Sequence, residues 1–359
     1  MYINFKFLLS VLSAVLLLSL VMSVFCFAGG WEQVTELPIW RYGNTAAAVY
    51  GKIYIIGGYD LHKNLGGRAP ALSIVDVYDT QTNTWHKVAN MPTPRVAPQT
   101  AVFSNEIYVF GGYDRKGRRG ARRNKKTVEM YDTRTDTWIK KRDMPSLRMD
   151  FTTAVVDGKI YVIGGRVEDQ PFKPMPTNLV EVYDPLINKW EKRADMPTAR
   201  AGADAVVVDG KVYVLGGQNT WVAQGLAERF ITRIEEYNPK TNKWQQLPDM
   251  PMFKFWFASV VVNNEIYTIG GANNKRERID TVDVYNPTVD KWRKIESLPT
   301  AKDIFAAVVV NGTIYTLGSF IGGVGGGKFS PIVEAFDTGF RAVTAKDKLP
   351  ISWGELKAE

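Results

Sequence analysis

Six times along the chain, an apolar run of branched and aromatic residues ends in glycine. The runs are KIYIIGG at 52–58, EIYVFGG at 106–112, KIYVIGG at 159–165, KVYVLGG at 211–217, EIYTIGG at 265–271 and TIYTLGS at 313–319. A short alternation of small or branched residues leads into them, as in TAAAVYGKIYIIGG, where Tyr50-Gly51 separates the two halves; Asp157-Gly158 and Asp209-Gly210 repeat the signal. Period-two runs joined by such a dipeptide predict antiparallel hairpins. A second polar–apolar pattern follows five of the six: VDVYDTQTNTW, VEMYDTRTDTW, VEVYDPLINKW, IEEYNPKTNKW and VDVYNPTVDKW, starting at Val75, Val128, Val180, Ile234 and Val282. It predicts two further strands per unit. A third marker then reads NMPTPR, DMPSLR, DMPTAR, DMPMFK and SLPTAK.

The glycine markers are spaced by 54, 53, 52, 54 and 48 residues, a repeat of supersecondary units that bury their faces only against one another. A glycine pair, then Tyr, then Trp seven residues later, in order in five complete copies, resembles the kelch repeat family over residues 31–336. The resemblance implies an all-β fold, a kelch β-propeller whose four-stranded antiparallel blades surround a central channel. Six glycine strands are followed by only five tryptophans, Trp85, Trp138, Trp190, Trp244 and Trp292, because the last copy ends VEAFDTGFRAV. The missing half lies at the other end, where WEQVTELP at 31–38 matches the pattern of residues 85–92. Six blades are therefore expected over residues 29–337, the last closed by the N-terminal strand, with residues 338–359 as a C-terminal extension. Within that extension LPISWG superficially resembles a sortase signal, but its spacing is wrong and no apolar anchor follows.

Residues 1–28 carry one charge, Lys6, before an apolar run over 7–28, and Cys26-Phe27-Ala28 offers a small-x-small junction before Gly29. That pattern resembles a secretory signal peptide. About twenty apolar residues also span a bilayer, so an uncleaved signal anchor is the second reading. A lipoprotein at Cys26 fits less well because bulky Phe25 precedes it. Both main readings place the folded part outside the cytoplasm, secreted or periplasmic. Cys26 is the only cysteine, so a cleaved chain forms no disulfide and relies on packing.

The chain has 45 Lys plus Arg against 37 Asp plus Glu, but the excess is local. Residues 113–126, YDRKGRRGARRNKK, hold eight cations and one carboxylate; apart from them and Lys6 the chain balances. Strand order places this segment, after Gly111-Gly112, on the side of the propeller that also carries the MPxxR crossovers. On this loop face the candidate ligand-binding residues are Tyr59, Arg95, Tyr113, Arg148, Arg166, Arg200, Gln218, Trp221 and Trp256. Basic and aromatic groups around a concave mouth suit a carboxylate-bearing or sugar ligand. The recurring Arg95, Arg148 and Arg200 have a second reading, as structural donors to loop carbonyls. Arg115, Lys116, Arg118, Arg119, Arg122, Arg123, Lys125 and Lys126 form a candidate anion-binding loop for an acidic glycan, lipid headgroup or protein. The competing reading is a mobile, solvated loop, since like charges repel. Nucleic acid is disfavoured because the loop has no aromatic to stack a base.

Little in the sequence marks an enzyme. Some kelch propellers are copper-radical sugar oxidases, which need a Cys-linked Tyr and two His ligands. The mature chain lacks Cys, and His62 and His86 are badly placed as a pair. No catalytic residue, metal or cofactor is expected. The resemblance also extends to sialic-acid mutarotases, whose funnel carboxylates move a proton; Glu168, Asp169, Glu228 and Arg229, with Arg166, occupy suitable loops. The leading expectation is a monomeric, non-catalytic binding module for a protein or glycan, with membrane contact limited to the N-terminal segment or the basic loop.

Overall fold

A computed structural model describes residues 30–60, 70–116, 121–167, 175–219, 230–321 and 328–341. They form six four-stranded antiparallel sheets and no helix. Blade one, for example, contains Thr45–Val49, Lys52–Ile56, Val75–Asp79 and Thr84–Lys87 in that order. The innermost strands form a closed ring. Thr45–Val49 touches Gln99–Phe103, then Thr152–Val156, Asp204–Val208, Ala258–Val262 and Lys302–Val310 follow, and the last returns to the first. The inner hairpins turn as their sequences predict: Tyr50 and Gly51 have φ of 51° and 75°, and Asp157 and Gly158 have 50° and 72°. Two consecutive positive φ angles give a turn whose twist matches the strands it joins.

Burial is greatest in the middle of each blade, while the innermost strands alternate between buried and half-buried positions. The second and third strands of each blade are enclosed on both faces, whereas outer strands such as Thr84–Lys87 are largely exposed. The core is accordingly distributed between blades. Ala154, Tyr161, Ile163 and Val182 of blade three pack on Val212, Val214 and Tyr237 of blade four, and similar clusters fill the other junctions. The repeated tryptophans join neighbours: Trp138 Nε1 donates to Ala89 O at 2.9 Å and Trp244 Nε1 to Ala194 O at 2.9 Å. Each also leans on the tyrosine of its own blade, as Trp138 does on Tyr131 at 5.1 Å. These residues belong to the scaffold.

Blade six is made from both ends of the chain. Trp31–Glu36 pairs with Lys328–Asp337, from Trp31 opposite Phe336 to Glu36 opposite Ile332, and the Trp31 and Phe336 rings lie 5.2 Å apart. Elsewhere both glycines of the pair turn left-handed and end the strand; here only Gly318 does, with Ser319 in the second place. The strand therefore continues through a register shift as Thr313–Ile321. Beyond residue 337, Thr338 Oγ1 donates to Gly312 O at 2.6 Å. Residues 1–28 and, of the expected extension, residues 342–359 lie outside the described residues.

Candidate functional site

The crossover cations form a buried ring. Arg95 pairs with Glu129 at 2.6 Å, Arg148 with Glu181 at 2.7 Å, Arg200 with Glu235 at 2.9 Å and Lys254 with Asp283 at 2.9 Å. Arg41 with Asp76 and Lys302 with Glu334 complete the set. Each acid is the second residue of the VDVYD-type pattern. The same cations bond strand-end carbonyls: Arg95 donates to Val109, Gly111 and Thr127, and Arg148 to Val162, Gly164 and Leu179. Burial pushes the Arg95 guanidinium down to about 10, with Glu129 pulling it back. The backbone of these crossovers also explains the glycine pairs. A Cβ on Gly57 would meet Arg95 O at 2.6 Å, and one on Gly164 would meet Arg200 O at 2.7 Å.

This arrangement corrects the expectation that Arg95, Arg148 and Arg200 bind ligand. All three are 0% exposed, and their donors are aimed at the fold's own carboxylates and carbonyls. Gln218 is likewise enclosed, with its backbone paired to Ala201 and Phe230. Trp221, His62, Glu168, Asp169, Glu228 and Arg229 lie outside the described residues.

A cavity of about 480 Å³ opens along the channel. Its mouth is organised by one position per blade, two residues after each crossover cation: Gly43, Ala97, Asp150, Gly202, Trp256 and Ile304 all line it. Backbone bonds link these positions in pairs, Ala97 N to Gly43 O, Gly202 N to Asp150 O and Ile304 N to Trp256 O. Five of the six are left-handed, with φ between 48° and 65°. Glycine adopts that backbone at little cost, whereas Asp tolerates it and Trp is strained by it. Asp150 nevertheless stands there, ion-paired with Arg166, and Trp256 stands there 39% exposed. Sequence reasoning found Arg166 and Trp256 but not this shared position, because left-handed backbone after a crossover leaves no mark when the residue is not glycine. Tyr113 also lines the cavity, and Tyr59 sits beside Tyr42 at 5.1 Å.

Lower in the cavity, Asp204 ties three blades together. It accepts from Ser259 N at 2.5 Å, Ala205 N at 2.9 Å and Thr152 Oγ1 at 3.3 Å. Enclosure by protein pushes its carboxyl above the ordinary range, and the backbone donors pull it back. Asp303, 3% exposed near the rim, is pushed up to about 6 by burial, which Arg278 at 3.4 Å offsets only in part. Such a raised acid stabilises the fold fully below its unfolded value near 4, and that contribution is lost as pH rises through 6. Asp303→Asn is therefore expected to gain thermal stability relative to the wild type as pH goes from 4 to 7. Melting curves across that range check it; a difference that does not move with pH contradicts the assignment.

The basic segment is built as a hairpin, Tyr113–Lys116 against Ala121–Asn124, and not as an irregular loop. Its base is pinned by Tyr113 N to Val96 O at 2.9 Å, Val96 N to Tyr113 O at 2.8 Å and Lys125 N to Gly112 O at 2.9 Å. Asp114 is clamped by Arg123 through both guanidinium donors, at 3.0 and 2.9 Å, and by Lys125 at 3.0 Å. These partners hold its carboxyl down at about 2. Lys126 donates to Pro145 O at 2.8 Å. Arg118 and Arg119, at the tip, lie outside the described residues, as do the side chains of Arg115, Lys116 and Arg122.

Comparison with known proteins agrees with this architecture. A domain model described as the KLHDC2/KLHL20/DRC7 Kelch-repeats domain matches residues 43–251, and the Kelch motif matches residues 257–299. Beta-scruin of Limulus polyphemus is 30% identical over 246 residues, 68% of this chain and 26% of that protein. Kelch-like protein 36 of Mus musculus is 27% identical over 222 residues, 62% of this chain and 34% of that protein. The matched region thus spans only about a quarter to a third of these relatives. A solved structure titled "Structure of YjhT" superimposes with a TM-score of 0.66 at 19% identity, covering 84% of this chain and 95% of that one, a likeness of fold. The repeat pattern, the six-sheet ring and a domain match over more than half the length have one reading: the chain belongs to the kelch-repeat family.

Proposed function

We propose that the protein is an exported, non-catalytic kelch-repeat interaction module whose loop face receives a protein or glycan ligand. The observation that carries this reading is Trp256, a bulky residue held in left-handed backbone and 39% exposed at the cavity mouth. Gly43 and Gly202 occupy the same position in other blades without that strain. Strain of this kind clusters at functional sites. A large aromatic face on the same cavity wall as the Asp150–Arg166 pair suits a ring-bearing polar group. The apolar N-terminal run supports export.

Trp256→Gly separates function from scaffold. Stability is expected to stay within about 1 kcal/mol of wild type, because relief of strain offsets lost packing on Phe255. Ligand capture on glycan arrays and by cross-linking to exported proteins is expected to fall for the variant. Capture by both forms alike contradicts a ligand site at the mouth.

A second reading, a sugar-acid mutarotase of the sialic-acid type, is favoured by Asp204, a half-buried carboxyl on the cavity wall with raised proton affinity. It predicts accelerated anomer exchange of sialic acid by NMR, lost in Asp204→Asn. Absence of exchange in the wild type removes this reading and leaves Asp204 as a tie between blades.

A further inference from the structure

The charges on the cavity wall do not cancel. Among the described residues that line it, Arg166 is the one cation, and Asp150 and Asp204 are the two carboxylates. Arg166 is paired with Asp150, which leaves Asp204 without a counter-ion on the wall. Its partners are the backbone N–H groups of Ser259 and Ala205 and the Thr152 hydroxyl. A carboxylate has about four acceptor sites, so these donors leave room for one more. Enclosure raises its proton affinity, as expected of an acid held away from both water and positive charge.

The wall around Asp204 is as apolar as it is polar, which suits a ligand that joins the two characters. Ala203, Ala258, Ala306, Ile304 and Phe257 offer it uncharged carbon surface. Trp256 stands at the mouth, three residues before the Ser259 whose N–H holds the carboxyl, so at most about 11 Å of strand separates the mouth from that bond.

We propose that this cavity receives an alkylammonium group, whose cation pairs with Asp204 and whose stem lies along the apolar wall beneath Trp256. The inference rests on the loop-face reading and names the chemistry of the group received. A primary ammonium brings the missing charge and three donors. One takes the remaining acceptor site on Asp204, and the others are within reach of the Thr152 and Ser259 hydroxyls beside that carboxyl. A methylene stem buries readily against apolar side chains, and the Trp256 ring, 39% exposed, covers its outer end. A neutral or anionic ligand of the same length leaves Asp204 uncompensated. The same group is carried by free amines and by the lysine side chains of proteins.

The test uses the full chain and two matched sets of probes, titrated by ligand-observed NMR at constant ionic strength. The first set is pentylamine, pentan-1-ol and pentanoate, which share a stem length and differ in charge. The second is a blocked glycyl-lysyl-glycine peptide and its Nε-acetylated form. In at least one set the ammonium form should bind the wild type about tenfold or more tightly than its uncharged match, and Asp204→Asn should abolish that preference. A preference confined to the peptide assigns the site to a lysine of a protein ligand; one confined to pentylamine assigns it to a free amine, and one in both sets supports the site with either source. Because Asp204 also ties blades together, a melting curve establishes that the variant is folded, and the preference within the wild type decides the point if it is not. A wild type that prefers the ammonium form in neither set overturns the proposal, and so does a preference that persists in folded Asp204→Asn. If no ammonium form is preferred while Trp256→Gly still loses capture on arrays or by cross-linking, the loop-face reading stands and the ammonium site falls.

Discussion

Arg95→Met is expected to lower the unfolding free energy by about 3–5 kcal/mol, although methionine matches much of the arginine's volume. The substitution strands Glu129, itself buried, with Thr93 Oγ1 at 2.6 Å as its remaining donor. It also leaves the carbonyls of Val109, Gly111 and Thr127 without the guanidinium. Most of the loss comes from the uncompensated charge, so Arg95→Met combined with Glu129→Met should recover much of it. Urea unfolding of both variants checks the point. If the single change is neutral, the ring of ion pairs is not what fastens the crossovers.

Removing residues 1–37 is expected to have an effect at least as large. The deletion takes away the outer strand of blade six, exposes the edge of Lys328–Asp337, and removes Trp31, half-buried against the core between blades five and six. A fully buried tryptophan is worth about 3–5 kcal/mol, and the half-buried Trp31 adds a part of that to the lost strand pairing. A fall in melting temperature of about 10 °C or more should follow. The bared edge should also self-associate, since an unpaired strand offers its backbone groups to another chain. Differential scanning calorimetry and size-exclusion chromatography read both effects; an unchanged monomer with an unchanged transition contradicts closure through the N-terminal strand.

The scaffold was legible because its signals are local and repeated. Tyr50-Gly51 and Asp157-Gly158 mark turns that need positive φ, and the similarity of residues 31–38 to 85–92 was enough to assign the N-terminal strand to the last blade, where Trp31 stands opposite Phe336. The buried ring was only half legible. Arg95 and its equivalents stood out, but their partners, Glu129 and its equivalents, hid inside the strand pattern as polar positions of unremarkable type. An acid recurring two residues before the marker tyrosine, in step with a basic residue two strands away, was the available clue. The mouth was harder still. Asp150 and Trp256 share a location fixed by backbone conformation, and no residue type marks that conformation except glycine. The hairpin also eluded composition: charge repulsion argues for an open segment, while the pairing is set by bonds at its base to Val96 and Gly112.

Blade six joins strands from opposite ends of the chain, and this orders events during synthesis. The strand Trp31–Glu36 is made before any blade exists, yet its partner, Lys328–Asp337, is made last. Every other blade completes itself from a continuous stretch as it emerges. The first strand must therefore wait, unpaired, for nearly the whole propeller to appear, and a contact between such distant residues carries a large loop-closure entropy when it forms. Docking of that strand is the natural slow step of folding, and until it happens the sixth blade has three strands and an unpaired outer edge along Lys328–Asp337.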